Sequence, residues 1–405
     1  SHLPHFRTWL ASLEEEELAT ILRNRPDVLN PLPPSIAALA TRLLLRTSIA
    51  RALMNCTARQ LAEIEDIARR GGELEEVEDL NPDITRQLKE RGLAYGNILI
   101  PPEVMPALPT GWSLLDQVQV SPEDIAELPA EERKVLETLS RSNGLGTTRD
   151  AAIDADPARP IPRLIAKQLL QRVDATTVRL PRAVHLALNG KPTAPIPVEG
   201  ITESPAPDSK ADDAGTAAGL SAVRGMQRVI DALGARPIEL LKDKTVGVRQ
   251  LTNLSKTLTI DEGELRRLIE LGMSARLLSR GEPKNFEGNF LAPTELAQAW
   301  LDANLAEKWQ VLLEAWTASP WTKEGRTLAH TNDRLPEFRQ KVLQVYLRGA
   351  KPTFEESLRF HFPLFATHTS DETIAELRAE AEWIGAIALE RPTSVLIDAP
   401  DAAAR

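Results

Sequence analysis

A proline-anchored pattern occurs three times along this chain, as Pro101-Pro102-Glu103-Val104-Met105-Pro106, Pro181-Arg182-Ala183-Val184-His185-Leu186 and Pro293-Thr294-Glu295-Leu296-Ala297-Gln298. Each copy follows a short β-prone run: Ile98-Leu99-Ile100, Thr177-Val178-Arg179-Leu180 or Asn289-Phe290-Leu291. Upstream of each run lies a helical stretch ending near Gly92, Arg172 or Gly272. Helices, a two-stranded ribbon, a proline and a return helix, in that order, read as a winged helix. A fixed order at unequal intervals indicates duplicated domains with inserted sequence, because a solenoid keeps a constant period. The expected fold class is therefore mainly α with short β-ribbons, organised as tandem winged-helix domains.

The bulk properties fit an array of small domains. A chain of 405 residues has room for roughly three or four domains of about 100 residues each. Hydrophobic residues make up 42%, enough for cores. The longest apolar runs, such as Leu43-Leu44-Leu45, fall far short of the roughly 18 residues that a membrane span requires. The start, Ser1-His2-Leu3-Pro4-His5, lacks the basic stretch and apolar core of a signal peptide, so a cytoplasmic location is expected. Cys56 is the single cysteine, in an apolar helical context; it excludes an internal disulfide and a cysteine-based zinc site and reads as a buried thiol.

Turn and cap signals divide the chain. Residues 1–57 form an N-terminal helical segment, with a long helix over 35–55 packing it onto the first winged domain. Residues 58–112 read as winged helix 1, with a short helix at 73–79, a third helix opened by Asn81-Pro82 and a wing turn at Ala94-Tyr95-Gly96-Asn97. Residues 113–190 read as winged helix 2, with Asn143-Gly144-Leu145-Gly146-Thr147-Thr148 as the turn of a helix-turn-helix and a third helix over 160–172. Residues 191–219, rich in Pro, Ser, Asp, Ala and Gly, read as a flexible linker. Winged helix 3 spans 220–303. The remainder, 304–405, is a helical region in which Gly385-Ala386-Ile387-Ala388-Leu389 and Ser394-Val395-Leu396-Ile397 supply a candidate fourth wing.

Enzyme signatures are missing from this pattern. Asn189-Gly190-Lys191 lacks the upstream glycine of a phosphate-binding loop, and Gly144-Leu145-Gly146 lacks the third glycine of a dinucleotide fingerprint. His361 and His368 flank Pro363, where no helical metal pair forms. The acidic runs at 14–17 and 73–79 read as solvated faces. No catalytic residue, metal site, cofactor or small-molecule substrate is expected.

The net charge of −10 restricts nucleic-acid contact to a local patch, since phosphate binding draws on cations and counterion release. One segment inverts the charge. Arg159, Arg163, Lys167, Arg172, Arg179 and Arg182 face the single acid Asp174 within their own stretch. Spacing by four places the first three on one side of the third helix of winged helix 2, and Arg179 and Arg182 fall on its wing, the surface with which such a domain meets a major groove and its phosphates. These six are the candidate nucleic-acid-binding residues. In the other two domains acids offset the bases: Asp83 and Glu90 beside Arg86 and Lys89, and Asp261, Glu262, Glu264 and Glu270 beside Arg266 and Arg267. Those domains are expected to bind protein instead.

Phe6-Arg7-Thr8-Trp9-Leu10, Leu18-Ala19-Thr20-Ile21-Leu22-Arg23-Asn24-Arg25-Pro26-Asp27 and Arg46-Thr47-Ser48-Ile49-Ala50-Arg51-Ala52-Leu53 resemble the start of the actinobacterial helicase-associated domain proteins, and Trp300-Leu301 and Glu382-Trp383-Ile384-Gly385 are similar to later parts of them. The resemblance implies a winged-helix array followed by a C-terminal domain like that found beside XPB-type repair helicases, and a role in DNA repair or transcription. It supplies neither helicase motifs nor site residues. The chain is thus expected to have one of two functions: a non-enzymatic DNA-binding scaffold touching duplex DNA through winged helix 2, or a protein-interaction adaptor that contacts no nucleic acid.

Overall fold

The computed structural model describes residues 5–109, 119–142, 144–190, 205–348 and 353–398. It is mainly helical with small antiparallel sheets and divides into two compact units, Ser1–Gly200 with Leu358–His368, and Ile201–Ser357 with Thr369–Arg405. Among the described residues no helix is long and apolar enough to cross a membrane.

The first unit opens with α1 (Phe6–Ala11), α2 (Glu15–Asn24), α3 (Ile36–Leu43) and α4 (Arg46–Met54). The long helix expected over 35–55 is thus two helices, broken at Leu44-Leu45. The break lets Leu39 and Leu43 join Phe6, Leu10 and Leu99 in one core, while Ile49 and Leu53 join Leu61, Ile64 and Leu88 in another. It also frees the Leu43 carbonyl, which accepts from the buried Arg25 guanidinium at 2.8 Å; the same group donates to Ser48 Oγ at 2.6 Å and to the Arg91 carbonyl at 3.0 Å. Burial lowers the pKa of Arg25, and Asp27 opposes that shift.

Next come α5 (Ala58–Arg69), capped by Thr57, α6 (Pro82–Glu90), whose Asn81 cap accepts from the Asp83 and Ile84 amides, and α7 (Val104–Ala107), the return helix after Pro101. No helix forms at 73–79. The Val77 amide donates instead to the Ile98 carbonyl, and the Ile100 amide to that of Gly72. The ribbon expected here is accordingly reduced to a single bridge, Tyr95 with Leu99. Cys56 is fully buried in this core.

The unit continues with α8 (Pro122–Ala126), α9 (Ala130–Arg141), β1 (Leu145–Thr147), α10 (Pro160–Ala166), β2 (Gln171–Arg172), β3 (Thr177–Arg179) and α11 (Arg182–Leu188). The sheet order is β1-β3-β2, all antiparallel, with Leu145 and Gln171 both opposite Arg179. Residues 145–147, expected in a turn, are therefore an edge strand, and Asn143 lies outside the described residues. The third helix stops at Ala166, earlier than expected. Gln168 turns left-handed at φ +60°, and the Leu169 amide reaches back to the Leu164 carbonyl at 2.9 Å, a C-terminal lock that delivers Leu169 and Leu170 to the core. Residues 358–368, expected within the C-terminal helical region, belong to this unit, where Leu364 packs in the Ile49 and Leu61 core.

The second unit is built on α12 (Ser209–Ala235), followed by β4 (Ile238–Glu239), α13 (Val248–Leu258), α14 (Glu262–Ser274), β5 (Leu278–Gly281), β6 (Phe290–Pro293) and α15 (Glu295–Asp302). Its sheet order, β4-β6-β5, repeats that of the first unit. The chain then runs through α16 (Leu305–Ala318), α17 (Leu335–Leu347), α18 (Phe354–His361), α19 (Pro363–His368), α20 (Asp371–Ile384), β7 (Ile387–Ala388), β8 (Arg391–Pro392) and α21 (Ser394–Asp398). The linker expectation needs correction: residues 191–204 lie outside the described residues, but 209–219 are the first turns of α12. Asp208 caps that helix through the Lys210 and Ala211 amides, and Gly215 and Gly219 lie against the 385–393 segment and Trp309 of α16, so packing outweighs weak propensity. The last ribbon pairs 387–388 with 391–392, while 394–397, expected as its second strand, are helical. Asp212 of α12 accepts from both the amide and the hydroxyl of Ser394 and so starts α21 there.

Candidate nucleic-acid interface

Five of the six basic residues lie on or beside α10 and the β2–β3 ribbon, and four of them, Arg159, Arg163, Lys167 and Arg172, find partners outside their own stretch of sequence. Arg159 precedes α10 and lies 2.5 Å from the Asp150 carboxylate. Arg163, in the last turn of α10, and Lys167, just past its end, converge on Glu132 of α9. Lys167 Nζ is 2.6 Å from Glu132 Oε2, and Arg163 Nε is 3.1 Å from Oε1, as an ion pair without hydrogen-bond alignment. Glu132 is 1% exposed, whereas the Arg163 and Lys167 side chains are 39% and 44% exposed. Glu131 lies 3.8 Å from Arg163 but is largely solvated, so it adds little.

The ribbon cations are bound to neutral groups. Arg172 donates from Nε to the Ala151 carbonyl at 2.5 Å, and Arg179 donates from Nε to Gln171 Oε1 at 3.1 Å. Arg182, expected on the wing, opens α11 and is partly buried: burial pushes its pKa down to about 10, Arg359 pushes the same way, and Glu65 opposes them. It is a structural residue of the unit's interior. The acids Glu132 and Asp150 were not legible as partners, because nothing local in the sequence links positions 132 and 167.

The corresponding helix of the second unit is covered by its own chain. Arg266 on α14 donates to the carbonyls of Thr322 at 2.9 Å and Gly325 at 2.8 Å and pairs with Glu270 at 3.0 Å. In α6, Arg86 pairs with Glu90 at 2.9 Å and Asp83 at 3.5 Å, which neutralises that helix as its composition suggests. No protein family, curated protein or solved structure matches the chain.

Among the described residues no group of three or more His, Cys, Asp or Glu side chains is placed to hold a metal ion. His361 is buried, and His368 Nδ1 contacts the Leu364 carbonyl at 2.8 Å. Chemically, the α9–α10 surface can present positive charge to an anion, with α10 and the ribbon fixing its position.

Proposed function

We propose that this chain is a non-enzymatic, cytoplasmic scaffold of tandem winged-helix domains that engages duplex DNA through the surface of α9, α10 and the β2–β3 ribbon, in DNA repair or transcription. The winged-helix assignment is supported by the repeated order of a helix, an edge strand, two further helical segments and a ribbon whose last strand pairs with that edge, once as β1-β3-β2 and once as β4-β6-β5. The observation that carries the DNA reading is Glu132: one buried carboxylate holds two exposed cations side by side, so positive charge stays outermost and is fixed in place. Phosphate competes for Arg163 and Lys167 without having to order them first.

Only a few phosphates are contacted in this arrangement, so affinity is weak and falls with salt at a slope of about −0.9 per phosphate neutralised. Fluorescence anisotropy with a labelled duplex at low and moderate salt tests the reading. Arg163→Gln with Lys167→Gln, made together with Glu132→Gln so that no buried carboxylate is left without a counter-ion, should abolish binding with the far-UV spectrum retained; undiminished binding by this triple variant rules this surface out.

A second reading, a protein-interaction adaptor, is favoured by a separate observation. The α14 surface is closed by the 322–326 segment through Arg266, leaving that domain no open helix for a groove. Absence of salt-sensitive duplex binding by the unmodified protein gives this reading the lead.

A further inference from the structure

The second unit contains a cleft of about 600 Å³ lined by α14, α20 and the segment between α16 and α17, a size usual for a small-ligand site. Aromatic residues are only 4% of the chain, yet three of its seven tryptophans, Trp316, Trp321 and Trp383, line this one feature. Their indole N–H groups differ. That of Trp316 donates to Glu380 at 3.0 Å, and elsewhere those of Trp300 and Trp309 donate to the carbonyls of Lys308 and Ile384. Those of Trp321 and Trp383 hydrogen-bond to no described residue, although each ring carries a guanidinium: Arg280 at 5.5 Å from Trp321 and Arg267 at 5.1 Å from Trp383.

The charges lining the cleft are also unequal in availability. Glu270 is held by Arg266 at 3.0 Å, Glu380 by Arg339 at 2.9 Å, and Asp261 accepts from the Gly263 and Glu264 amides at the start of α14. Arg267 makes no hydrogen bond or ion pair among the described residues, and its guanidinium lies over the face of Trp383. A stacked arginine keeps its N–H donors in a plane, the geometry that suits two oxygens of a phosphate. The Trp321 and Trp383 side chains that line the cleft beside it suit a flat heteroaromatic ring, because aromatic groups take up any base without regard to sequence.

We propose that this cleft binds a nucleotide unit, the base against Trp383 and Trp321 and the phosphate on Arg267. Glu264, one turn before Arg267 on α14, repels further phosphates, so the site takes one phosphate and its salt slope is about −0.7, the value for a single contact with a single strand. This site is separate from the duplex contact of the first unit and does not depend on it.

The test uses the whole chain and a short fluorescein-labelled oligodeoxythymidylate, read by anisotropy across a salt series, with thymidine monophosphate as competitor. Saturable binding is expected, reduced at least tenfold by Arg267→Glu and by Trp383→Leu, and unchanged by Arg163→Gln, Lys167→Gln and Glu132→Gln together. Arg267 is half-buried and makes no hydrogen bond or ion pair with a described residue, so Arg267→Glu reports even where Trp383→Leu disturbs packing; circular dichroism checks both. Competition by the mononucleotide identifies a free nucleotide as the ligand, and its failure to compete identifies a strand; both support the site. No binding by the unmodified chain, or equal binding by Arg267→Glu, overturns it.

Discussion

Trp309 lies across Gly219 of α12 so closely that a Cβ on that glycine would sit 2.3 Å from the indole ring. The ring is held at that same edge, since its Nε1, itself 2.5 Å from such a Cβ, donates to the Ile384 carbonyl at 2.7 Å and cannot swing away without losing that bond. Replacing Gly219 by Ala therefore inserts a methyl group where nothing yields, and overpacking of this kind costs about 1–3 kcal/mol. Urea unfolding should show that loss for Gly219→Ala. Gly281→Ala, where a Cβ meets nothing within 4 Å, is the control and should leave the midpoint nearly unchanged. Equal midpoints for the two variants would show that the α12–α16 contact is looser than described.

Cys56 is fully buried, and burial pushes its thiol up to about 11, with Arg91 and Arg25 only partly opposing the shift. The thiolate is the reactive form, so the native protein should resist alkylation and disulfide-exchange reagents near neutral pH and react fully once denaturant is added. Rapid stoichiometric labelling of the folded chain would falsify the assignment of this residue to a closed core.

Glu270 has its pKa raised above the ordinary glutamate value, chiefly by burial, with Arg266 opposing and Glu380 adding repulsion. An acid whose pKa rises on folding binds its proton more tightly in the folded state. Its ionisation therefore removes stability as pH climbs from the unfolded value through the folded one, and stability is regained as pH falls back through that window. Against Glu270→Gln, which keeps the shape and cannot ionise, the unmodified chain should lose relative stability with rising pH across that window. Denaturant titrations of both chains across mildly acidic to neutral pH measure it; a difference independent of pH, or one that grows in the opposite direction, refutes the prediction.

The sequence marks the ribbons better than the helices. Pro181 and Pro293 sit where the last strand of a ribbon gives way to a helix, so reading backwards from Pro181 finds β3 and reading backwards from Pro293 finds β6. The local chemistry is sufficient there, because proline ends the ladder and suits the first turn of a helix. In the first domain the same reasoning finds the return helix but yields only the Tyr95–Leu99 bridge, since Gly72 and Val77 take the neighbouring backbone partners without forming a strand. Helix extents depended on distant partners. Residues 209–219 look like linker because Gly215 and Gly219 are poor helix formers, and only the approach of Thr393 and Gly385 to the first and of Trp309 to the second explains their use. At the basic surface, cations are visible as a cluster in sequence, but Glu132 and Asp150 reach them through the fold, which is why positive charge in one stretch overstated the exposed positive charge of the surface.

Helix α12 packs on α14 and β6 and equally on α16, α20 and β7. One stretch of backbone thus serves as the floor of two groups of elements, α14 with β6 and α16 with α20 and β7, and neither group owns a complete interior. Residues 304–405 cut out alone would expose the apolar flank that this helix occupies, and residues 220–303 alone would lose the turns before Leu220 on which the later helices rest. The second unit is therefore expected to melt in one cooperative step, and it can be inherited or exchanged only whole.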